Sequence, residues 1–311
     1  VVLTAAHCLD PRSIFGLARE DVDGFGLWVS QAPELPPEGL PRDAVRARAF
    51  TPHPDFDLGE LEGVQGLVAL HDVGLVFLAD VVEVEPALVI APEEAPLLRE
   101  GAGTEIVGWG QRERPSLASA ALVGKRACAS SFVQALGASE MQVGRCGARK
   151  CWGDSGGPTF VSLVGPGGEV ARLIGVSSHT IGDGYCARGG VDTRVDVERA
   201  WIDATMRAAC LDGRRIHCGP APGLATPDPL GEALALDGVA DPEGLTCPAV
   251  EDAVVVVHDP SPTTPPAGCH AVGGEPSGLL LGLLGAVGAV RERRMRRRTS
   301  RDRCARPIMF S

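Results

Sequence analysis

The sequence predicts an all-β fold with one C-terminal helix, followed by a low-complexity tail. Residues 1 to about 206 consist of short apolar runs separated by Gly, Pro, Asp and Ser, a rhythm typical of β-barrels and sandwiches. Within them, residues 197–209 space their apolar side chains as a helix does. Every Trp, Tyr and Phe except Phe310 lies at or before Trp201, so the packed core belongs to the first two thirds of the 311 residues.

The net charge and the cysteine content indicate which kinds of partner and which cellular location to expect. The formal net charge is −11, from 29 basic and 40 acidic residues, so we expect no nucleic-acid partner. Ten cysteines favour an oxidising, exported location, because cytosolic thiols stay reduced. None of these cysteines forms a paired C-x-x-C motif, and the sequence predicts neither a metal site nor a cofactor.

The composition changes after the helix, and we divide the chain into three parts. Residues 1–207 are the predicted folded domain, and residues 269–311 are a terminal segment. Residues 208–268, between them, are rich in Pro, Gly, Ala and Asp, which predicts a linker. We expect three cysteines to pin part of this linker: Cys210, Cys218 and Cys247.

The terminal segment contains an apolar run followed by a basic block. Residues 278–290 (GLLLGLLGAVGAV) are fewer than the ~20 residues that a membrane span needs. Residues 291–306 carry nine Arg against two acidic residues. An apolar run that ends in arginines favours a retention or sorting signal, with a buried or interfacial helix as the alternative.

Three short strings carry candidate catalytic residues. They are LTAAHC at 3–8, HDVGL at 71–75 and CWGDSGGP at 151–158. A serine hydroxyl is inert at neutral pH unless an imidazole accepts its proton, and a buried carboxylate then stabilises the imidazolium. The strings supply this set as Ser155, His7 and Asp72. Gly153 lets the backbone turn so that its N–H and that of Ser155 converge on one site, where they would stabilise an oxyanion.

These strings, in this order, resemble the trypsin/chymotrypsin family of serine proteases. Three more segments are similar to family segments: VGWG at 107–110, GGVDTRV at 189–195 and Trp201-Ile202. The resemblance covers about two thirds of the chain. It implies two six-stranded antiparallel β-barrels and a serine endopeptidase that hydrolyses peptide bonds through an acyl-enzyme. In that scheme His7 is the general base, Asp72 the orienting acid and Ser155 the nucleophile, while Gly153 and Ser155 form the oxyanion hole.

The residues leave alternatives for two members of this triad. Asp55 and Asp57 are the alternative acids, and His71 and His179 are the alternative bases. Asp72 is favoured among the acids because it alone opens an apolar strand.

The resemblance also implies disulfides and an activation step. Cys128–Cys146 and Cys151–Cys186 match two family disulfides, and Cys8 would pair with a cysteine upstream of Val1. Asp154 would form an ion pair with the new N-terminal amine after zymogen cleavage. Because the chain opens on Val1, without Met and inside a predicted strand, we expect a fragment that lacks its true N-terminus and is inactive by itself.

The chain departs from the family at the base of the predicted specificity pocket. Trypsin-like enzymes carry Asp there, whereas this chain has Arg149. A cation at this position would repel Lys and Arg side chains. We therefore expect a preference for an acidic or small uncharged residue before the scissile bond. In the alternative, Arg149 turns to solvent or bonds Asp183, Asp192 or a carbonyl.

The walls of the pocket differ as well. The family strand that pairs with substrate backbone has Ser-Trp-Gly, where this chain has Ser178, His179 and Thr180. Thr180 would narrow the pocket entrance, while Gly190 keeps the opposite wall open.

The terminal segment resembles the sorting signal of myxobacterial surface proteins, with Gly268-Cys269, a spacer, the apolar run and the arginines. The resemblance implies membrane or cell-surface anchoring in a bacterial envelope. We expect a secreted or cell-surface monomer that acts on protein or peptide substrates. The alternatives are a catalytically silent binding or adhesion protein on the same fold, and a regulatory protease that cleaves one partner.

Overall fold

The structure is a computed structural model, and it describes most of the predicted folded domain. The described ranges are 1–10, 12–13, 26–36, 39–61, 64, 66–111, 124–145, 148–165, 168–181, 186, 188–219, 223–224, 235–236 and 279–281. Most of the predicted linker and terminal segment, including the arginine block, lies outside these ranges. The division of the chain at residues 207 and 268 therefore stays a prediction.

The described elements are mainly β-strands. The strands are β1 (Val2–Thr4), β2 (Leu27–Val29), β3 (Val45–Pro52), β4 (Gly74–Leu78), β5 (Gly103–Gly108), β6 (Ala127–Leu136), β7 (Glu140–Arg145), β8 (Ala148–Arg149), β9 (Pro158–Gly165), β10 (Gly168–Thr180), β11 (Gly190–Arg194), β12 (Ala235–Leu236) and β13 (Leu279–Leu281). The α-helices are α1 (Leu58–Leu61) and α2 (Val195–Leu211), and short 3₁₀ turns cover His7–Leu9 and Ala95–Leu97. The all-β prediction with one long helix is confirmed.

The strands form two sheets, a first one built from β1 to β4 with β13 and a second one built from β5 to β12. The second sheet closes into a six-stranded barrel. Its strands follow the order β10-β11-β7-β6-β5-β9, and β9 pairs back to β10. All of these pairings are antiparallel. The short strand β12 pairs with the outer part of β9. One of the two predicted barrels is therefore present as predicted.

The first sheet is a curled half-barrel. It has the order β1-β4-β3-β2-β13, and within the described ranges β1 pairs only with β4, so the sheet stays open. Its last strand, β13, runs parallel to β2. These three residues belong to the apolar run at 278–290, whose other residues lie outside the described ranges. The half-barrel and the closed barrel are the two barrel-like sheets that the sequence predicts, and the parallel pairing of β13 with β2 is the one departure from all-antiparallel pairing among the described strands.

Helix α2 begins two residues earlier and ends two residues later than predicted. Its buried side chains recur every three or four positions, which gives one apolar face against the barrels. That face contains Val195, Ile202, Met206 and Ala209. Two acidic residues lie in the first turn, where the helix dipole stabilises negative charge. Neither this helix nor any other in the described ranges is long and apolar enough to cross a membrane.

Glu140, at the start of β7, is a buried carboxyl with incomplete hydrogen bonding. One side-chain oxygen accepts the N–H of Val68 at 2.7 Å, whereas the other has no partner in the part of the chain that the structure describes. Burial raises the pKa of Glu140 to about 7, because a buried charge without full solvation is unfavourable.

We expect the Glu140→Gln variant to lose part of the pH dependence of stability. The neutral form of Glu140 stabilises the fold fully below its ordinary pKa of 4.5, and this contribution is lost as pH rises through about 7. As pH rises from 5 to 8, the parent should therefore lose about 2 kcal/mol of its free energy of unfolding that the variant does not lose. Urea unfolding at a series of pH values measures this difference, with exposed Glu83→Gln as the control. Parallel profiles for parent and Glu140→Gln would contradict the expectation.

Candidate active site

His7 and Asp72 meet at one end of the half-barrel. His7 follows β1, Asp72 precedes β4, and these strands pair in antiparallel register with Thr4 opposite Gly74. His7 Nδ1 lies 2.6 Å from Asp72 Oδ2, and the His7 backbone N–H donates to Asp72 Oδ1 at 2.9 Å. Both side chains are buried. The carboxylate therefore holds the tautomer that keeps a proton on Nδ1 and a lone pair on Nε2.

Ser178 adds a third hydrogen bond to the same carboxylate. Its hydroxyl, on β10, donates to Asp72 Oδ2 at 2.6 Å. Burial would raise the pKa of Asp72, but the charge of His7 and the hydrogen bonds from His7 and Ser178 hold it below the ordinary value. The sequence places Ser178 only on the substrate strand. Its contact with a residue 106 positions away is visible only in the folded chain.

The alternative acids and bases contact other groups. Asp55 and Asp57 are exposed, and Asp57 Oδ1 accepts the N–H of Gly59 at the start of α1. His71 Nδ1 lies 2.8 Å from a Glu198 oxygen. His179 lies with Nε2 3.4 Å from the Gly66 carbonyl oxygen, and burial lowers its pKa.

The loop that carries Ser155 is tied to strands on both sides of the His7–Asp72 pair. The N–H of Gly156 donates to the Ser177 carbonyl on β10 at 2.8 Å. Gly156 also has a φ of 76° and packs so closely on Thr4 of β1 that a Cβ would overlap the Thr4 hydroxyl. Ser155 is thereby placed beside the two strands that position His7 and Ser178. Among the described residues, its hydroxyl makes no hydrogen bond to His7.

The turn before Ser155 exposes two backbone N–H groups. Gly153 has a φ of 92°, a conformation that side-chain-bearing residues rarely adopt. The Asp154 carboxylate folds the turn by accepting the N–H of Cys151 at 2.8 Å and that of Gly110 at 2.7 Å. Within the described ranges, no oxygen accepts the N–H of Gly153 or Ser155. Both groups can therefore donate to an oxygen from outside.

Disulfides brace this region. Cys151 and Cys186 form a disulfide with their Cα atoms 5.3 Å apart. Away from the site, Cys210 in the last turn of α2 forms another with Cys218. Cys8 and Cys128 are also disulfide-bonded. The expectation that Cys8 pairs with a cysteine upstream of Val1 is therefore wrong, because its disulfide is formed within this chain. Cys146, which the family resemblance pairs with Cys128, lies outside the described residues.

A buried ion pair lies behind Gly190, on the wall of the predicted specificity pocket. Lys150 Nζ donates to both carboxylate oxygens of Asp192, at 2.8 and 2.9 Å. Thr159 donates to the same carboxylate through its hydroxyl. Burial lowers the pKa of Lys150, although Asp192 opposes the shift. A Cβ on Gly190 would lie 3.0 Å from that of Lys150, so the lysine stem directly backs this glycine.

The other predicted pocket residues lie around this pair. Thr180 ends β10 opposite Gly190 on β11, and both it and Arg149 are half-buried. The alternative contact between Arg149 and Asp192 is not formed, because Lys150 and Thr159 take the Asp192 carboxylate. Asp183 lies outside the described residues. The Lys150–Asp192 pair was missed, although an Asp inside the apolar segment of β11 is a signal that a buried cation must lie nearby.

Comparison with known proteins places the chain in a family. The family described as Trypsin matches residues 1–202. Mouse Serine protease 56 is 31% identical over 219 residues, which are 67% of this chain and 33% of that protein. Human Kallikrein-11 is 26% identical over 221 residues, 66% of this chain and 68% of that protein. The structure of neuropsin, a serine protease of mouse brain, has a TM-score of 0.40 and 20% identity, covering 52% of this chain and 72% of its own.

The chain spans about a third of the length of Serine protease 56. The family match nevertheless covers most of its folded part, including all three strings that carry His7, Asp72 and Ser155. The chain belongs to the trypsin family of serine proteases.

Proposed function

We propose that this chain is the catalytic part of a serine endopeptidase, with His7 as general base, Asp72 as the acid that orients it and Ser155 as nucleophile. The observation that carries the proposal is the buried 2.6 Å contact between His7 Nδ1 and Asp72 Oδ2. This contact leaves the lone pair of Nε2 to accept a proton. The loop of Ser155 is fastened to the strands on both sides of it.

In the proposed reaction, Ser155 Oγ attacks the carbonyl carbon of the substrate while its proton passes to His7 Nε2. The carbonyl oxygen becomes an oxyanion that accepts the N–H groups of Gly153 and Ser155, each worth ~3–4 kcal/mol of barrier. Collapse of the intermediate breaks the C–N bond, and the leaving amine takes the proton from His7. Water then attacks the acyl-enzyme with His7 again as base, which releases the acid and restores Ser155.

The activation step is proposed for the cavity beside Asp154. This cavity has a volume of about 410 Å³, and Gly108, Gly110, Arg149 and Lys150 also line it. A new N-terminal amine of the full-length protein would bind the Asp154 carboxylate here. The amine would hold the turn at Gly153 in the form that presents both N–H groups.

For the substrate, we propose a protein or peptide with an acidic or small uncharged residue before the scissile bond. Behind Gly190, the Asp192 carboxylate already binds Lys150 and Thr159. The Asp192 carboxylate is therefore already occupied and would not bind a Lys or Arg side chain of a substrate. Thr180 and Arg149 would favour a short or anionic side chain.

The location is proposed from the sequence. Disulfides at Cys151–Cys186 and Cys210–Cys218 agree with an oxidising, secreted or cell-surface environment. Anchoring of a monomer in a bacterial envelope through residues 269–311 remains a proposal, which processing at Cys269 would support.

The proposed nucleophile is tested by active-site labelling. A fluorophosphonate probe should label the activated full-length protein, and Ser155→Ala should abolish the label and lower kcat on the order of 10⁶-fold. Ser130→Ala, on an exposed part of β6, is the matched control and should label normally. An activated, folded parent that takes no label would instead support a binding or adhesion protein.

Ser178 is expected to act as a positioning residue through Asp72. A hydrogen bond to a charged group contributes ~1.5–3 kcal/mol, so Ser178→Ala should lower kcat about 10- to 100-fold with little change in KM. Ser178→Thr, which keeps the hydroxyl, should restore most of the rate. Steady-state kinetics on one peptide checks both variants. Equal losses in Ser178→Ala and Ser178→Thr would contradict a role for the hydroxyl.

The proposed specificity of the pocket is tested with peptides that differ only in the residue immediately before the scissile bond. The parent should cleave Asp or Ala peptides at least about tenfold better in kcat/KM than Lys peptides. Lys150→Met should narrow that gap, because it releases the Asp192 carboxylate, and should lower thermal stability. Lys125→Met, at the only other lysine, is the control. Comparable cleavage of Lys and Asp peptides by the parent would disprove the preference.

A further inference from the structure

A second polar cluster includes His71, the residue immediately before Asp72. It consists of His53 after β3, His71 before β4 and Glu198 in the first turn of α2. His71 Nδ1 is 2.8 Å and His53 Nε2 is 3.4 Å from the Glu198 carboxylate oxygens. The two imidazole rings are stacked, with centroids 4.8 Å apart and planes 14° apart. Both His53 and Glu198 are buried.

We propose that His53, His71 and Glu198 bind a divalent transition-metal ion, with Zn²⁺ as the best match. Two imidazole nitrogens and one carboxylate oxygen are a ligand set that zinc takes in proteins, with water in the fourth position. The three ligand atoms all lie within 4.8 Å of one another. Tetrahedral zinc with bonds of about 2.0–2.1 Å needs them about 3.4 Å apart. The distance from His53 Nε2 to one Glu198 oxygen already has this value. The other pairs of ligand atoms, no more than 4.8 Å apart, need to change their separation by up to ~1.4 Å.

The hydrogen bonds around His53 show how it would become a ligand. Its Nδ1 accepts the N–H of Asp55 at 3.2 Å, which keeps the ring proton on Nε2, facing Glu198. Metal binding at Nε2 requires the other tautomer, with the proton on Nδ1, so that Nδ1 becomes a donor and gives up the N–H of Asp55. The Asp55 carboxylate lies 3.9 Å from Nδ1 and is placed to accept a hydrogen bond from it. Such an outer carboxylate commonly orients a metal-bound histidine.

The backbone at His71 directs its imidazole to the same point. His71 has a φ of 51°, a left-handed conformation that is uncommon for residues other than glycine. Its carbonyl accepts the N–H of Val73 at 2.7 Å, so the chain turns tightly around Asp72. As a result, His71 reaches Glu198 while the next residue reaches His7. Strained conformations of this kind concentrate at ligand-binding sites.

A metal ion here would join three elements that are distant in the sequence. His53 and His71 flank the β3–β4 connection, and Glu198 belongs to α2, 127 residues after His71. The ion would therefore fasten the half-barrel to the C-terminal helix. Because it binds the folded chain, it should also raise the melting temperature, by an amount that grows with the logarithm of the free ion concentration above its Kd.

Zinc binding to the chelator-treated chain is the test, and its readouts do not depend on peptidase activity. Calorimetry should detect one equivalent of Zn²⁺, and Zn²⁺ should raise the melting temperature. Co²⁺ should give the intense visible bands of four-coordinate cobalt. Co²⁺ should also quench Trp201, whose ring lies 4.7 Å from that of His53, and the quenching should fall in Trp201→Phe.

Substitutions of the proposed zinc-binding residues show whether Zn²⁺ binds at this site or elsewhere in the protein. Glu198→Gln and His71→Gln should each weaken Zn²⁺ binding at least about tenfold. The exposed His217→Gln is the matched control and should bind as the parent does. Circular dichroism shows whether each variant is folded. If His71→Gln is unfolded, Glu198→Gln, which keeps the shape of the side chain, decides the test. Absence of one-equivalent binding, or equal binding by Glu198→Gln, would overturn the proposal. Loss of binding in His7→Gln alone would place the ion at the triad and overturn it too.

Discussion

The Asp72 carboxylate is fully buried where the half-barrel meets the closed barrel, and the geometry of the site depends on it. An ionised carboxylate without partners would be very unfavourable in this environment. Here it accepts hydrogen bonds from the backbone and ring of His7 and from the hydroxyl of Ser178. Since these donors come from different sheets, the charge can be compensated only when both sheets are in place. Folding and assembly of the site are therefore the same event.

The same constraint explains other buried charges in the domain. Arg172 and Glu94, both nearly inaccessible, form a 2.8 Å ion pair between β10 and the segment before the second 3₁₀ turn. Lys150 and Asp192 form another behind the pocket. Glu140 has only one donor, and its pKa is correspondingly raised by burial. Ion-pair partners compensate the burial of the charges at Arg172 and Lys150, whereas Glu140, with a single donor, has a pKa raised by burial.

Local patterns were sufficient to predict much of this protein. The strings around His7, Asp72 and Ser155 combine glycine turns with catalytic residue types, so they could be found without any structure. The apolar runs and the helical spacing gave the strand-rich fold and helix α2. These features are encoded within about ten consecutive residues, which is the range over which sequence periodicity is informative.

Contacts between distant residues could not be predicted in this way. The hydrogen bond from Ser178 to Asp72 spans 106 positions, and the ion pair from Lys150 to Asp192 spans 42. The cluster of His53, His71 and Glu198 was not predicted, because its residues lie on two loops and a helix with no short spacing that links them. The pairing of β13 with β2 was not predicted for the same reason, since β13 comes from the distant tail.

The buried ion pair of Lys150 and Asp192 limits how the specificity of this pocket can evolve. Replacing either residue alone leaves an unpaired charge in the interior, which costs several kcal/mol of stability, whereas replacing both with apolar residues is nearly neutral. A change of specificity that replaces these two residues one after the other therefore passes through a single variant of low stability. The two positions should vary together among relatives, and a library that randomises them jointly should yield folded variants that one-at-a-time mutagenesis does not.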